Sequence, residues 1–86
     1  MNLSIPTIHS NGTSFKEITE NLEKACVQIA KTRDCLENTQ PNRRDYYPQG
    51  EAEFYKARHE HMQRSIKLEE VRKELEFIWE KLTENI

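Results

Sequence analysis

The residues best suited to bind a ligand are concentrated in one segment, PNRRDYYPQG, which covers Pro41 to Gly50. Arg43 and Arg44 offer planar guanidinium groups that match the geometry of a phosphate. The adjacent Tyr46 and Tyr47 offer aromatic faces on which a nucleotide base can stack. This combination favours nucleotide binding, so we expect the segment to contact a small anionic ligand.

Amide and proline residues in the same segment support that interpretation. Asn42 and Gln49 add groups that hydrogen-bond the polar edges of a base. The prolines restrain the loop and lower the entropy cost of ordering it. A purely structural role is the alternative: Tyr46 or Tyr47 plugs the end of a helical bundle, and Asp45 pairs with an arginine to brace the turn.

A second candidate for anion binding is the segment SNGTS, from Ser10 to Ser14. Asn11, Thr13 and Ser14 bring hydroxyl, amide and backbone donors to the start of a predicted helix, where anions are attracted. One glycine and no lysine make this a poorer cradle than a phosphate loop. Ordinary helix capping by Ser14 is the alternative.

Two polar residues, His61 and Arg64, interrupt the apolar pattern of the second predicted helix. They either fix the register of the packed helices or form a polar pocket that directs a cation at an anionic ligand. His59 and His61 are two residues apart and point to different sides of a helix, so they do not form a metal site on one helix. No nucleophile with its base is recognisable. We therefore expect neither catalysis nor a metal or cofactor.

Two stretches with three-and-four spacing of apolar residues predict two amphipathic helices. The first is expected over residues 14–40, because Ser14 and Glu17 form a capping-box pattern and Pro41 cannot continue a helix. The second is expected over residues 51–85. The predicted seam of the first helix consists of Phe15, Ile18, Leu22, Ala25, Ile29, Thr32 and Leu36. The predicted seam of the second consists of Phe54, Ala57, His61, Arg64, Leu68, Val71, Leu75, Ile78 and Leu82.

These helices predict an all-α single domain, an antiparallel two-helix hairpin with an extended N-terminal arm over residues 1–13 and a loop over residues 41–50. A direct reversal places Phe15 near Leu75, so the last turns of the second helix overhang the first. We expect the arm, another copy of the chain, or both to cover this apolar overhang. The hairpin is therefore expected to assemble into a homo-oligomeric helical bundle.

Size and composition limit the function further. The 86 residues suit one domain, and 33% charged residues with only two glycines favour helices. A formal charge of −2 gives no overall field that attracts duplex DNA, so DNA is not an expected partner. The chain begins without the features of a signal peptide and contains no membrane-spanning apolar stretch. We therefore expect a cytoplasmic protein without a membrane partner.

The two candidate segments lie at opposite ends of the first predicted helix, about 39 Å apart at the helical rise per residue. One hairpin cannot bring them together. An antiparallel dimer places the helix start of one copy beside the loop of the other, twice, by two-fold symmetry. A composite site therefore requires self-association.

Over nearly its whole length, the chain resembles small uncharacterised helical proteins of tailed phages and prophages. The resemblance is carried by Ile5 to Ser14, which is similar to an IPTIH-NGTS arm, and by Pro41 to Gly50, which is similar to a PN-RDYYPQG loop. The relatives have leucine at the position of Ser10 and glycine at that of Arg43, which favours Arg44 over Arg43 as a ligand-binding residue. The resemblance implies a phage protein that acts in the bacterial host cytoplasm.

Phages encode small oligomeric proteins that capture cyclic nucleotide or ADP-ribose signals of bacterial immune systems, and the expected architecture is similar to theirs. We therefore expect a non-catalytic protein that sequesters a small anionic ligand, a nucleotide immune signal, as a homo-oligomer. The alternative is a protein-interaction module, in which the hairpin grips a host or phage protein.

Overall fold

The computed structural model describes residues 1–84 and is all-helical within that range. A long helix α1 (Phe15–Leu36) is followed by two short 3-10 turns, Glu37–Thr39 and Arg43–Tyr46, and by a second long helix α2 (Glu51–Thr83). The two long helices pack antiparallel, which confirms the helical hairpin. Residue 85, the predicted end of the second helix, lies outside the described residues. No helix of the described part combines the length and apolar character needed to cross a membrane.

Helix α1 begins where the capping pattern indicates and ends earlier than predicted. The Ser14 hydroxyl accepts a hydrogen bond of 3.1 Å from the Glu17 backbone N–H, which satisfies one of the free donors of the first turn. The regular helix ends at Leu36 rather than at residue 40. Gln40 is extended, with ψ of 132°, because the following Pro41 excludes the helical conformation.

Gly50 makes the sharp entry into helix α2 possible. Its φ of 97° lies in the region that L side chains rarely adopt, and its N–H donates to the Tyr46 carbonyl at 2.9 Å. The chain therefore turns directly out of the second 3-10 turn and into α2. This geometry fixes the position of the loop relative to the first turns of α2.

The pairing register of the two helices differs from the predicted one. Arg33 pairs with Glu69 at 2.5 Å, and the Trp79 indole N–H donates to a Glu23 carboxylate oxygen at 2.9 Å. The last turns of α2 therefore pack beside the first turns of α1, and the predicted overhang at that end is wrong. Instead, the first turns of α2 extend beyond the end of α1.

The loop between the helices covers those first turns of α2. Phe54 is buried, and the Tyr46 ring packs against it with centroids 6.2 Å apart. Ala57 is also buried, one turn further along the same side of α2. The loop is thus a folded lid over the start of α2 rather than a simple reversal.

The N-terminal arm lies against the other end of the hairpin. Residues 1–9 have no helix or strand, and Leu3 and Ile5 are half-buried. Ile5 lines a groove with Phe15 and Leu82, whereas Ile8 remains 42% exposed. The arm therefore covers part of the apolar surface where α1 begins and α2 ends.

The hairpin does not close a hydrophobic core. Among the described residues, only Phe54, Ala57 and Leu82 are buried apolar side chains. The accessible surface is 6710 Å², compared with about 5,400 Å² for a compact monomer of this mass. The radius of gyration is 18.6 Å, against about 12 Å for a compact domain of this length. Much of the seam is left half-exposed.

Candidate functional site

The loop is built around Asn42. The Asn42 side-chain oxygen accepts from the Arg44 backbone N–H at 2.9 Å, and the Asn42 carbonyl accepts from the Asp45 N–H at 3.0 Å. These bonds start the 3-10 turn that carries the arginines and Tyr46. The Asn42 side-chain oxygen is therefore occupied in shaping the loop, which leaves it less available to a ligand than the sequence indicates.

Arg43 is held against helix α2. Its guanidinium pairs with Glu51 at 3.2 Å and lies 5.0 Å from the centre of the Phe54 ring. It also lies 5.7 Å from the centre of the Tyr55 ring and donates to the Tyr55 hydroxyl at 3.4 Å. Because Glu51 offsets its charge, Arg43 contributes more to the structure of the loop than to the attraction of an anion.

Tyr46 is the residue that plugs this end of the hairpin. Its ring is half-buried and tilted by 59° against Phe54. Its carbonyl accepts from the N–H groups of Gln49 and Gly50 at 3.0 and 2.9 Å. Tyr46 therefore takes the structural role that the sequence left open, and the Gln49 side chain is exposed beside it.

Arg44 and Tyr47 are exposed residues of the loop that could meet a ligand. The Arg44 Nε lies 3.5 Å from the Asn42 side-chain oxygen, and no ion pair of Arg44 occurs within residues 1–84. The Tyr47 ring is 66% exposed and borders a hollow of about 170 Å³ that also reaches Arg43 and Glu51. An arginine and a tyrosine are thus available to an external ligand.

The second candidate segment lies at the far end of the molecule. The Gly12 N–H donates to the His9 carbonyl at 3.1 Å, which folds the chain into a turn just before α1. Ser14 is engaged as the helix cap, and Asn11 and Thr13 are exposed. Helix α1 separates this turn from the loop, so one hairpin does not unite the two candidate segments.

His61 and Arg64 do not form the pocket considered from the sequence. His61 is only 4% exposed, and neither ring nitrogen has a hydrogen-bond partner among the described residues. It borders a groove of about 370 Å³ that also involves Gln40 and Arg58. Arg64 and Val71 are exposed, so the prediction that they belong to the packed seam is wrong. Ser65, next to Arg64, is half-buried and contacts Arg33 of α1 instead.

A network of ion pairs in the middle of the hairpin was not predicted. Arg33 and Arg72 both bond the Glu69 carboxylate, and Arg72 also pairs with Glu76 at 2.7 Å. The spacing of Glu69, Arg72 and Glu76 on α2 indicates these local pairs. Nothing in the sequence pattern singles out Arg33, because Thr32 fits the seam spacing better; in the structure Thr32 is exposed.

The network lowers the pKa of Glu69 to about 2 from an ordinary 4.5, chiefly through its hydrogen bond with Arg72 and with a contribution from the charge of Arg33. A carboxyl group whose pKa is lower in the folded state stabilises the fold when the pH is above its pKa in the unfolded chain. This stabilisation is lost as the pH falls through the pKa of the folded state.

Replacing Glu69 by glutamine tests this linkage. We expect E69Q to melt at a lower temperature than the wild type above pH 4.5. The gap should close progressively as the pH falls towards 2, where the wild-type carboxyl becomes protonated. Thermal unfolding followed by circular dichroism at several pH values measures both. A gap that is the same at every pH would contradict the linkage.

One side of the hairpin carries three exposed large apolar side chains. Val27 of α1 and Met62 and Ile66 of α2 are 52%, 53% and 43% exposed. On the same side, Val27 and Trp79 border an apolar cleft of about 250 Å³ between the two helices. We call this side, which also contains the Arg33 network, the docking face; its residues are Glu23, Cys26, Val27, Arg33, Met62, Ile66, Glu69, Arg72, Glu76 and Trp79.

No protein-family model matches the chain, and no curated protein or solved structure matches it. Within residues 1–84 there is also no group of three or more histidine, cysteine or acidic side chains placed to hold a metal ion.

Proposed function

We propose that this protein binds and sequesters a small anionic, nucleotide-like ligand without catalysis, at sites formed between copies of the chain. The observation that supports this proposal is the exposure of Arg44 and Tyr47 on a loop in which Asn42, Arg43 and Tyr46 are engaged in contacts within the chain. A guanidinium matches a phosphate, and an aromatic ring matches a base.

The size of the hollow argues that one copy is insufficient. Pockets that enclose small molecules generally have volumes of about 300 to 1,000 Å³. The hollow beside Tyr47 is about 170 Å³ and includes the carboxylate of Glu51, which repels an anion. A ligand with a phosphate and a base therefore needs a second wall that supplies donors.

The start of α1 in a neighbouring copy is the best source of that wall. Asn11 and Thr13 are exposed there, and the free N–H groups of the first helical turn attract negative charge. Ser14 remains the cap, so its backbone and not its hydroxyl is offered to the ligand. Two copies arranged antiparallel would form two such sites.

The resemblance to phage proteins suggests the class of ligand. In a bacterial host, a non-catalytic phage protein gains from removing a signal molecule, and cyclic nucleotides and ADP-ribose derivatives carry both phosphate and base. The net charge of −2 excludes capture by a general positive field, so recognition would be local to the loop.

The direct test is isothermal titration of the purified protein with cyclic di- and trinucleotides and with ADP-ribose cyclic isomers. We expect Arg44→Ala to weaken binding at least about tenfold, or about 1.4 kcal/mol, because it removes a bidentate phosphate contact. Its melting temperature should change little, since Arg44 is exposed. Arg64→Ala removes the same charge from another exposed site and should bind like the wild type.

Arg43→Ala should affect stability more than ligand affinity, the reverse of Arg44→Ala. It should lower the melting temperature because Arg43 contacts Glu51, Phe54 and Tyr55. Absence of binding across the whole panel would count against the proposal. So would an Arg44→Ala variant that loses stability instead of affinity.

A second candidate function is a protein-interaction module, which is favoured by the exposed docking face. In this case Met62 and Ile66 would insert into a groove of a helical host or phage protein. Tyr55, at 49% exposure, lies seven residues before Met62 on the same side of α2 and extends the apolar stripe towards the loop.

Affinity purification from infected cells separates the two candidate functions. An interaction module should co-purify with one protein in stoichiometric amount, and Met62→Glu should abolish that complex while Arg44→Ala retains it. Val71→Glu is the matched control, because Val71 is 46% exposed but lies outside the docking face. A complex that survives Met62→Glu would eliminate this candidate.

A further inference from the structure

We infer that the docking face pairs with the docking face of a second copy, antiparallel, so that Met62 and Ile66 of each copy fill the Trp79 cleft of the other. This inference deepens the proposed function, because it names the arrangement that a site between copies requires. It depends on contacts that are separate from those of the loop.

The docking face has an apolar projection and an apolar recess at different levels of the same helix. Met62 and Ile66 project from the first half of α2, whereas the cleft of about 250 Å³ lies near Trp79 in its second half. Positions 62, 66, 69, 73 and 76 follow a four-and-three spacing and therefore share one side of α2. Projection and recess thus face the same way.

The charges between projection and recess suit a self-pairing surface. Three cations, Arg33, Arg72 and Lys73, and three anions, Glu23, Glu69 and Glu76, lie on this side of the hairpin. Their formal charges cancel, so two copies of this surface meet without net repulsion. The ion pairs already satisfy one another within each copy, which lowers the cost of removing water from them.

The elongated chain exposes enough surface for a stable dimer. Its surface exceeds that of a compact monomer by about 1,300 Å², the difference between 6710 Å² and about 5,400 Å². A dimer that removed this excess from both copies would bury about 2,600 Å², which falls in the range of about 2,000 to 5,000 Å² for obligate homodimers.

A two-fold axis through the middle of α2 satisfies these contacts twice. Met62 and Ile66 lie about 20 Å along the helix from the level of Glu76 and Trp79. An axis perpendicular to α2 near residue 70 exchanges the two levels, so that projection meets recess in both directions.

The same axis brings together the two segments of the proposed ligand site. The start of α1 lies beside Leu82, at the end of α2. The two-fold axis places the end of one copy's α2 beside the first turns of the other copy's α2. The loop with Arg44 and Tyr47 lies at those first turns. Asn11 and Thr13 of one copy would therefore approach the loop of the other at both ends of the dimer.

Mixed-label NMR tests the arrangement in the full chain. One copy is the wild-type chain labelled with nitrogen-15. The other copy is unlabelled, is added in excess, and has both native cysteines replaced, by Cys26→Ala and Cys35→Ala. It carries a nitroxide on His59→Cys, an exposed position one turn before Met62. Trp79 is the single tryptophan, so its indole N–H gives one resonance. We expect the nitroxide to remove most of that signal, with recovery after chemical reduction.

The matched control places the nitroxide at Val71→Cys, on the side of α2 away from the docking face, and should broaden the indole signal much less than His59→Cys does. Only contacts between copies are detected, because the spin-labelled chains carry no nitrogen-15. Equal broadening from both positions, or none from His59→Cys, overturns the inferred arrangement.

The pairing and the proposed function fail separately. If the ligand binds and Arg44→Ala weakens binding, but His59→Cys does not broaden the indole signal, the proposed function stands and this arrangement is overturned. Broadening from His59→Cys with no ligand bound across the nucleotide panel would keep the arrangement and count against the proposed function.

Discussion

The contact between α1 and α2 is the constraint on which the rest of the molecule depends. Two helices alone present a narrow seam, and here only three apolar side chains within the described residues become buried. The hydrophobic stabilisation scales with apolar area removed from water, so a half-exposed seam leaves much of it unrealised. Association with another surface would bury more of this area, and we propose that it occurs on the side where Val27, Met62 and Ile66 are exposed.

The two ends of the hairpin are closed by different means. At one end the arm places Ile5 near Phe15 and Leu82. At the other end the loop places Tyr46 and Arg43 over Phe54. The folded loop explains why an arginine-and-tyrosine segment follows a helix: Arg43 and Tyr46 pack on the first turns of α2. Arg44 and Tyr47 are left facing solvent, where they remain available to a ligand.

The sequence predicts the elements well and their register poorly. The capping pattern locates Ser14, and Pro41 requires α1 to end before it. Register is different, because three-and-four spacing recurs along both helices and many offsets match apolar positions. The choice among them depends on Arg33, Glu69 and the folded loop. None of these contributes to an apolar pattern, which is why the pattern alone selected Arg64 and Thr32 for the seam.

For the candidate site, too, the sequence indicates the chemistry of the residues but not where their side chains lie. Residue types identify the loop as a place for phosphate and base, whereas the structure separates Arg43 and Tyr46, which are engaged, from Arg44 and Tyr47, which are exposed. A hydrogen bond or a ring contact of this kind leaves no periodic signal in a sequence. The sequence pattern also gives no account of His61, whose buried ring nitrogens have no hydrogen-bond partner among residues 1–84.

Sedimentation equilibrium in dilute solution tests the central claim most directly, because the claim is that one chain cannot bury its own seam. We expect the wild-type protein to sediment with the mass of two or more copies of the 10.3 kDa chain. The measured mass should shift towards that of a single chain for Met62→Glu and not for Val71→Glu. A wild-type protein that sediments as a stable, folded single chain across the accessible concentrations would contradict it.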